Sequence, residues 1–132
     1  MRIYVASSLE NIERASAVID TFKRCGHTIS YNWTEFGDMR GRGEDALMST
    51  ANKEVFAVID SDLVLVLLPG GRGTHTELGL ALASRNNKRI LLWSETGVEF
   101  HNDSNTCAFY HHVSIERMQC GFDELLEKIK QF

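Results

Sequence analysis

The sequence has little proline, few cysteines and no long hydrophobic run. It contains one proline and three cysteines in 132 residues. Cys25, Cys107 and Cys120 are widely spaced, which is typical neither of a disulfide framework nor of a zinc site. We therefore expect reduced thiols in a cytoplasmic protein. No apolar stretch approaches the ~20 residues of a membrane-spanning helix, so no membrane partner is expected.

Clustered positive charge is also absent. The chain has 14 Lys and Arg against 18 Asp and Glu, a net charge of −4. Because binding DNA or RNA requires grouped cations that neutralise phosphates, a nucleic-acid polymer is not expected as a partner, whereas a single nucleotide is compatible with this charge. The hydrophobic content of 43% is typical of one compact domain, which we expect to span residues 1–132.

Strand-like and helix-like segments alternate along the chain. Strands are predicted at Arg2–Ala6, Thr28–Tyr31, Leu63–Leu68, Arg89–Trp93 and, weakly, His112–Ile115, and helices at Asn11–Cys25, Glu44–Ile59, Thr74–Asn86 and Phe122–Phe132. This alternation predicts a three-layer α/β fold, Rossmann-like with a flavodoxin-like order, in which helices cover both faces of a parallel five-stranded sheet. In the second helix, the helical spacing predicts an inward face of Leu47, Ala51, Val55 and Ile59.

A glycine-rich turn follows the most apolar strand and leads into a helix. Gly70, Gly71 and Gly73 would let the backbone approach a phosphate or sugar, and Arg72 is a candidate phosphate ligand. The alternative is a tight turn with an exposed arginine. Because ligands of parallel sheets bind beyond the carboxyl ends of the strands, this turn lies where a site is expected.

Two glutamates are candidates for chemistry. Glu77 either completes a capping box with Thr74 or is a carboxylate nucleophile for glycosyl transfer, kept ionised by the helix N-terminus. Glu54 lies eight positions before Asp62, which is about 12 Å of helix back towards the same rim. It is therefore the better-placed second carboxylate, unless it is a solvated helix residue.

Other polar and aromatic residues follow the first two predicted strands. Ser7 and Ser8 are candidates to bind a sugar or phosphate, or to cap a helix. Trp33 is a candidate to stack on a base, although a lone tryptophan is also a typical core residue. His111 and His112 have no partners at metal-ligand spacing, so no metal site is predicted.

Three segments, Ile3–Ser8, Gly26–Ile29 and Leu67–Gly79, resemble the nucleoside 2-deoxyribosyltransferase superfamily, which includes the 2′-deoxynucleoside 5′-phosphate N-hydrolases. The resemblance implies a Rossmann-like domain and N-glycosidic bond chemistry without a cofactor. It also implies a homodimer or higher homo-oligomer whose sites are completed by a neighbouring subunit, through the loop around Asn102–His112.

The resemblance also implies roles for single residues. Glu77 takes the place of the family nucleophile, and Tyr4 that of a tyrosine on the first strand. Glu54 stands where the family has an aspartate, and Gly71 where the N-hydrolases have a phosphate-binding serine. The family's proton-transfer role therefore does not transfer directly to Glu54, and its nucleotide specificity does not transfer directly through Gly71.

The segment Pro69–Glu77 also resembles the glycine motif of the cytokinin-activating phosphoribohydrolases. We therefore expect cleavage or transfer at the N-glycosidic bond of (2′-deoxy)nucleosides or their 5′-monophosphates, through a glutamate nucleophile and a covalent glycosyl-enzyme. The alternatives are a phosphoribohydrolase, a hydrolase of a dinucleotide such as NAD, and a nucleotide-binding module without turnover.

Overall fold

Five parallel strands form one sheet, in the order β2-β1-β3-β4-β5, in the computed structural model, which describes residues 1–132. The strands are β1 (Arg2–Ala6), β2 (Thr28–Ile29), β3 (Leu63–Leu67), β4 (Arg89–Ser94) and β5 (Ile115–Gln119). This confirms the predicted five-stranded parallel sheet and its flavodoxin-like order.

Four helices cover the two faces of the sheet. They are α1 (Ile12–Arg24), α2 (Glu44–Ile59), α3 (Arg72–Ala83) and α4 (Phe122–Ile129). α1 packs beside α4, and α2 packs beside α3. Because right-handed crossovers in this strand order place the two pairs on opposite faces, the domain has three layers, as predicted. No helix combines the length and the apolarity that crossing a lipid bilayer requires.

The core is centred on β3, whose five residues are all buried. A continuous apolar strand is what a parallel sheet covered on both faces requires. The register aligns the carboxyl ends of the central strands, because Ala6 pairs with Val66 and Leu67 pairs with Trp93. The segments that follow these strands therefore meet at one rim of the sheet.

The predicted inward face of α2 is wrong. Leu47, Val55 and Ile59 are 44%, 40% and 50% exposed, and Ala51 is exposed as well. The inward stripe begins one position earlier and consists of Ala46, Thr50, Glu54, Ala57 and Val58. Both stripes satisfy the helical period. The stripe with the smaller side chains faces inward, which allows α2 to approach α3 closely.

The fifth strand is also displaced from its predicted position, since it occupies Ile115–Gln119 rather than His112–Ile115. It is an edge strand with a mostly exposed surface, so it lacks the apolar run that identifies β3. Its pairing with β4 is supported by an ion pair between Arg89 and Glu116. Between β4 and β5 the chain forms two short 3-10 turns, Val98–Phe100 and Ala108–His111.

Candidate active site

A cavity of about 500 Å³ opens at the rim where β1 and β3 end. It is lined by residues that follow β1, β2 and β3 and by Leu47, Thr50 and Glu54 of α2. Of the residues predicted for the site, those in the cavity wall are Ser7, Ser8, Trp33, Glu54, Gly71, Arg72, Gly73 and Glu77. Tyr4 is buried behind Glu77, and Gly70 does not line the cavity. The fold therefore brings most of the candidate residues together around one space.

The Glu77 carboxyl faces the cavity although the residue is only 8% exposed. The hydroxyl of Tyr4, on β1, donates a hydrogen bond to Glu77 Oε2. The capping-box interpretation of Glu77 is wrong, because Thr74 Oγ1 accepts the Gly71 N–H at 3.0 Å and caps the helix itself. The helix begins two residues earlier than predicted, so Glu77 lies beyond its first turn.

Burial raises the pKa of the Glu77 carboxyl to about 8; the hydrogen bond from Tyr4 lowers this pKa, and the charge of Glu54 raises it further. The expectation that the helix N-terminus keeps Glu77 ionised is therefore wrong for the free protein. The physical reason is position, because the helix dipole acts mainly within the first turn. Burial also raises the pKa of Tyr4, so its hydroxyl stays a donor.

Glu54 supplies a second carboxyl to the same cavity from the inward side of α2. The residue is half-buried, its carboxyl makes no hydrogen bond or ion pair with another residue, and burial raises the pKa of this carboxyl. Asp62 lies at the other end of the sheet, where it accepts the Arg2 N–H at 2.7 Å. Two carboxyls that share one poorly solvated space titrate as a pair and tend to hold one proton between them.

Backbone N–H groups at the start of α3 form one side of the cavity. Those of Arg72, Gly73 and Thr74 have no hydrogen-bond partner within the protein, and the Arg72 guanidinium makes no ion pair. Ser8 makes no side-chain hydrogen bond. These donors and this cation are suited to an anion. The Gly71 N–H is already bonded to Thr74.

Ser7 and Gly70, which the sequence predicts as ligand-binding residues, also have structural roles. The Ser7 hydroxyl donates to Leu67 O at 2.9 Å and accepts from Asn11 Nδ2 at 3.0 Å, so it joins β1 to β3. A Cβ at Gly70 would lie 2.7 Å from the Thr74 side chain. Glycine at position 70 thus allows close packing of the turn on α3.

Trp33 lines the cavity although only 8% of it is exposed, and its stacking on a base stays a prediction. Its indole Nε1 donates to Val5 O at 2.7 Å, which fixes the ring in the cavity wall. The exposed aromatic surface belongs to Tyr31 and Phe36, whose rings stack at 5.8 Å and 7°. Sequence reasoning did not assign these two residues to the site, although both belong to the segment that carries Trp33.

A histidine links α3 to the segment between β4 and β5. His75 Nδ1 lies 2.7 Å from Gly71 O, and its Nε2 lies 2.6 Å from the Tyr110 hydroxyl. Because the Gly71 carbonyl can only accept, Nδ1 carries the donated proton, and in this neutral tautomer Nε2 accepts a hydrogen bond from the Tyr110 hydroxyl. The turn that opens α3 is therefore held from outside the cavity by Tyr110.

Two solved structures are similar to this chain along its whole length. A CMP N-glycosidase from Clostridium botulinum aligns with a TM-score of 0.66 and 17% identity over 98% of each chain. A conserved protein from Enterococcus faecalis aligns with a TM-score of 0.61 and 18% identity, over 99% of this chain and 98% of that one. No protein-family model and no curated protein sequence matches the chain. At these identities the similarity shows a shared fold, the α/β fold of both proteins.

Proposed function

We propose that the protein cleaves the N-glycosidic bond of a nucleoside 5′-monophosphate, with Glu77 as the nucleophile. The observation that carries this proposal is the buried Glu77 carboxyl, which is held by the Tyr4 hydroxyl and faces a cavity that also contains Glu54. The resemblance to the deoxyribosyltransferase superfamily supports the same reaction. So does the shared fold with a CMP N-glycosidase.

In the proposed first step, ionised Glu77 attacks the anomeric carbon as the bond to the base breaks. The electron pair of that bond moves to the base nitrogen, which Glu54 protonates, directly or through water. The product is a sugar ester of Glu77. In the second step water attacks the same carbon, Glu54 accepts its proton, and Glu77 leaves as a carboxylate. An acceptor base in place of water would make the reaction a transfer.

The two carboxyls are suited to opposite roles because they share one proton. The competent arrangement has Glu77 ionised and Glu54 protonated, so that one attacks while the other serves as the acid. The Tyr4 hydroxyl favours this arrangement, since its hydrogen bond lowers the pKa of Glu77 and does not contact Glu54. Tyr4 is thus a positioning residue behind the nucleophile.

The 5′-phosphate is assigned to the start of α3. The unpaired N–H groups of residues 72–74 and the Arg72 side chain offer an anion both hydrogen bonds and positive charge. Ser8 faces the same end of the cavity. This set offsets the absence of a serine at Gly71 and favours a nucleotide over a nucleoside as substrate.

The direct test is chromatography of the products formed from ribo- and deoxyribonucleosides and their 5′-monophosphates, with and without an acceptor base. We expect free base from monophosphates, and a loss of at least about 10³-fold in kcat for Glu77→Gln. Glu13→Gln is the matched control, because Glu13 is exposed on α1 and does not line the cavity. Absence of base release from every compound would contradict the proposal.

A nucleotide-binding module without turnover is the second candidate. It is favoured by the pKa of about 8 at Glu77, which leaves most of this carboxyl uncharged at neutral pH in the free protein. This alternative predicts nucleotide-dependent thermal stabilisation that persists in Glu77→Gln, with no product from either protein.

A further inference from the structure

The cavity has two side walls separated by the end of one strand. β1 lies between β2 and β3 in the sheet. The segment that follows β2 and the turn that follows β3 are therefore about 10 Å apart, two strand spacings. The base and the 5′-phosphate of a nucleotide lie on opposite sides of its sugar. With the phosphate at the start of α3, the base is directed to the wall that follows β2.

This second wall offers a flat apolar surface. Tyr31 and Phe36 stack within 7° of parallel, and Phe36 is 43% exposed. Met39 and Leu47 also line the cavity. Aromatic rings of this kind bind the face of any base and do not distinguish one base from another. Discrimination requires polar groups at the edge of the ring.

The same wall carries one charged pair, Asp38 and Arg40, and both residues line the cavity. Arg40 Nε lies 3.0 Å from Asp38 Oδ1, and Arg40 Nη2 lies 2.8 Å from Oδ2. Asp38 Oδ1 also accepts the Arg40 N–H at 2.9 Å. An exposed pair contributes little to folding, because solvent screens it. Because the pair lies in the cavity wall, recognition of a ligand is a more specific role for it than stabilisation of the fold.

The hydrogen bonds within the pair determine what it can still bind. Asp38 Oδ1 accepts the Arg40 N–H at 2.9 Å and Nε at 3.0 Å, whereas Oδ2 accepts Nη2 at 2.8 Å and only the longer branch of the shared Nε bond at 3.1 Å, so Oδ2 has more capacity for a further donor. Arg40 keeps both protons of Nη1 and one of Nη2, since only Nε and Nη2 are engaged. The pair therefore presents one acceptor position on Asp38 beside two donor nitrogens, Nη1 and Nη2, on Arg40.

We propose that Asp38 and Arg40 read the base edge and select a donor–acceptor–acceptor pattern, which is that of cytosine. This inference rests on the proposed function for the placement of the nucleotide. The exocyclic amino group of cytosine donates to Asp38, while its ring nitrogen and carbonyl oxygen accept from Arg40. Uracil and thymine present acceptor–donor–acceptor and leave two groups facing like partners, the O4 carbonyl opposite Asp38 and the ring N–H opposite Arg40. Guanine presents two adjacent donors, which one free carboxylate position does not satisfy.

The test measures binding apart from catalysis. Calorimetry on Glu77→Gln gives the affinities for CMP, UMP, GMP and AMP, and the same titrations are made with Asp38→Asn or Arg40→Lys added. CMP is expected to bind roughly 5- to 100-fold more tightly than UMP. Asp38→Asn should reduce this ratio to near one, because an amide can donate or accept. Asp123→Asn, an exposed position on α4, is the control and should leave the ratio unchanged.

Arg40→Lys keeps the charge but removes the two-donor fork, so it should weaken CMP binding more than UMP binding. Equal affinity for CMP and UMP, tighter binding of GMP, or an unchanged ratio in Asp38→Asn would overturn the proposal. Base release by wild type together with any of these results would leave the proposed function intact. CMP selectivity without base release would instead retain base recognition and contradict the enzymatic account.

Discussion

The hydroxyl of Tyr4 on β1 donates a hydrogen bond to Glu77 on α3, across 73 positions of the chain. Both residues are buried, and the Tyr4 side chain has no access to solvent. The contact fixes one carboxyl oxygen of Glu77 from behind. It also stabilises the ionised form of a carboxyl that burial otherwise keeps protonated.

The first prediction concerns the pH dependence of the reaction. Because the active pair holds one proton, on Glu54, and loses its last proton with a pKa of about 8, kcat/KM should fall with pH from 6 to 9, with a midpoint near 8. Initial rates over this range measure it. A profile that rises across the same interval would show that the reaction needs no protonated carboxyl and would contradict the role of Glu54 as the acid.

Replacing Tyr4 by Phe should move that profile to higher pH, because the hydrogen bond that lowers the pKa of Glu77 is removed. Loss of a hydrogen bond to a charged group should reduce kcat/KM by about 10- to 100-fold at pH 7. Replacing Phe22 by Leu, elsewhere in the core, tests whether a packing change alone gives this shift. An unshifted profile in Tyr4→Phe would show that the contact does not tune Glu77.

Glu77 should also destabilise the folded protein at high pH. Its pKa is raised from 4.5 to about 8, so the folded state binds the proton more tightly than the unfolded state. The free energy of unfolding therefore falls as pH rises between these values. Glu77→Gln should be more stable than wild type by about 2–5 kcal/mol at pH 9, and similar to it near pH 5. Urea unfolding at both pH values measures the difference, with Glu13→Gln as the control that shows none.

The contact between Tyr110 and His75 should affect phosphate binding selectively. His75 holds the Gly71 carbonyl, and Tyr110 holds His75 in turn. Tyr110→Phe should raise the KM for a nucleoside 5′-monophosphate by about 3- to 10-fold, the value of one hydrogen bond, with little change for the matching nucleoside. An equal rise for both substrates would indicate a general structural effect instead.

The exposed face of α2 is where we expect a second copy of the chain to pack, in line with the predicted homo-oligomer. Met48 is 57% exposed and Phe56 is 68% exposed, beside Leu47 of the cavity wall. Large exposed apolar groups on one helix face are typical of an interface. Light scattering should give a dimer or higher mass for wild type and a monomer for Phe56→Glu. A monomeric wild type at tens of micromolar would contradict this expectation.

The sequence predicted the central strands and the bounds of α2 well. It predicted the inward face of α2 and the position of the edge strand β5 poorly. β1 and α2 match their predicted bounds because glycines and apolar runs delimit them. The inward face of α2 was misassigned because two neighbouring stripes share the helical period. β5 was misplaced because an edge strand has no continuous apolar pattern.

In the candidate site, spacing and resemblance indicated Glu77 and Glu54, and the structure places both in one cavity. Tyr31, Phe36, Asp38 and Arg40 were not assigned to the site, because their positions depend on a loop with left-handed glycines. Contacts between residues that are far apart in the chain also leave no pattern in the neighbouring sequence. The indole of Trp33, for example, is held by a carbonyl 28 positions away.

The central claim is that Glu77 forms a covalent bond to the sugar. Its most direct test is rapid mixing of the protein with a nucleoside 5′-monophosphate, acid quenching and mass spectrometry of the digested chain. We predict an added sugar phosphate on the peptide that contains Glu77, and none in Glu77→Gln. Base release that continues undiminished in Glu77→Gln, with no adduct on the wild-type peptide, would contradict the account.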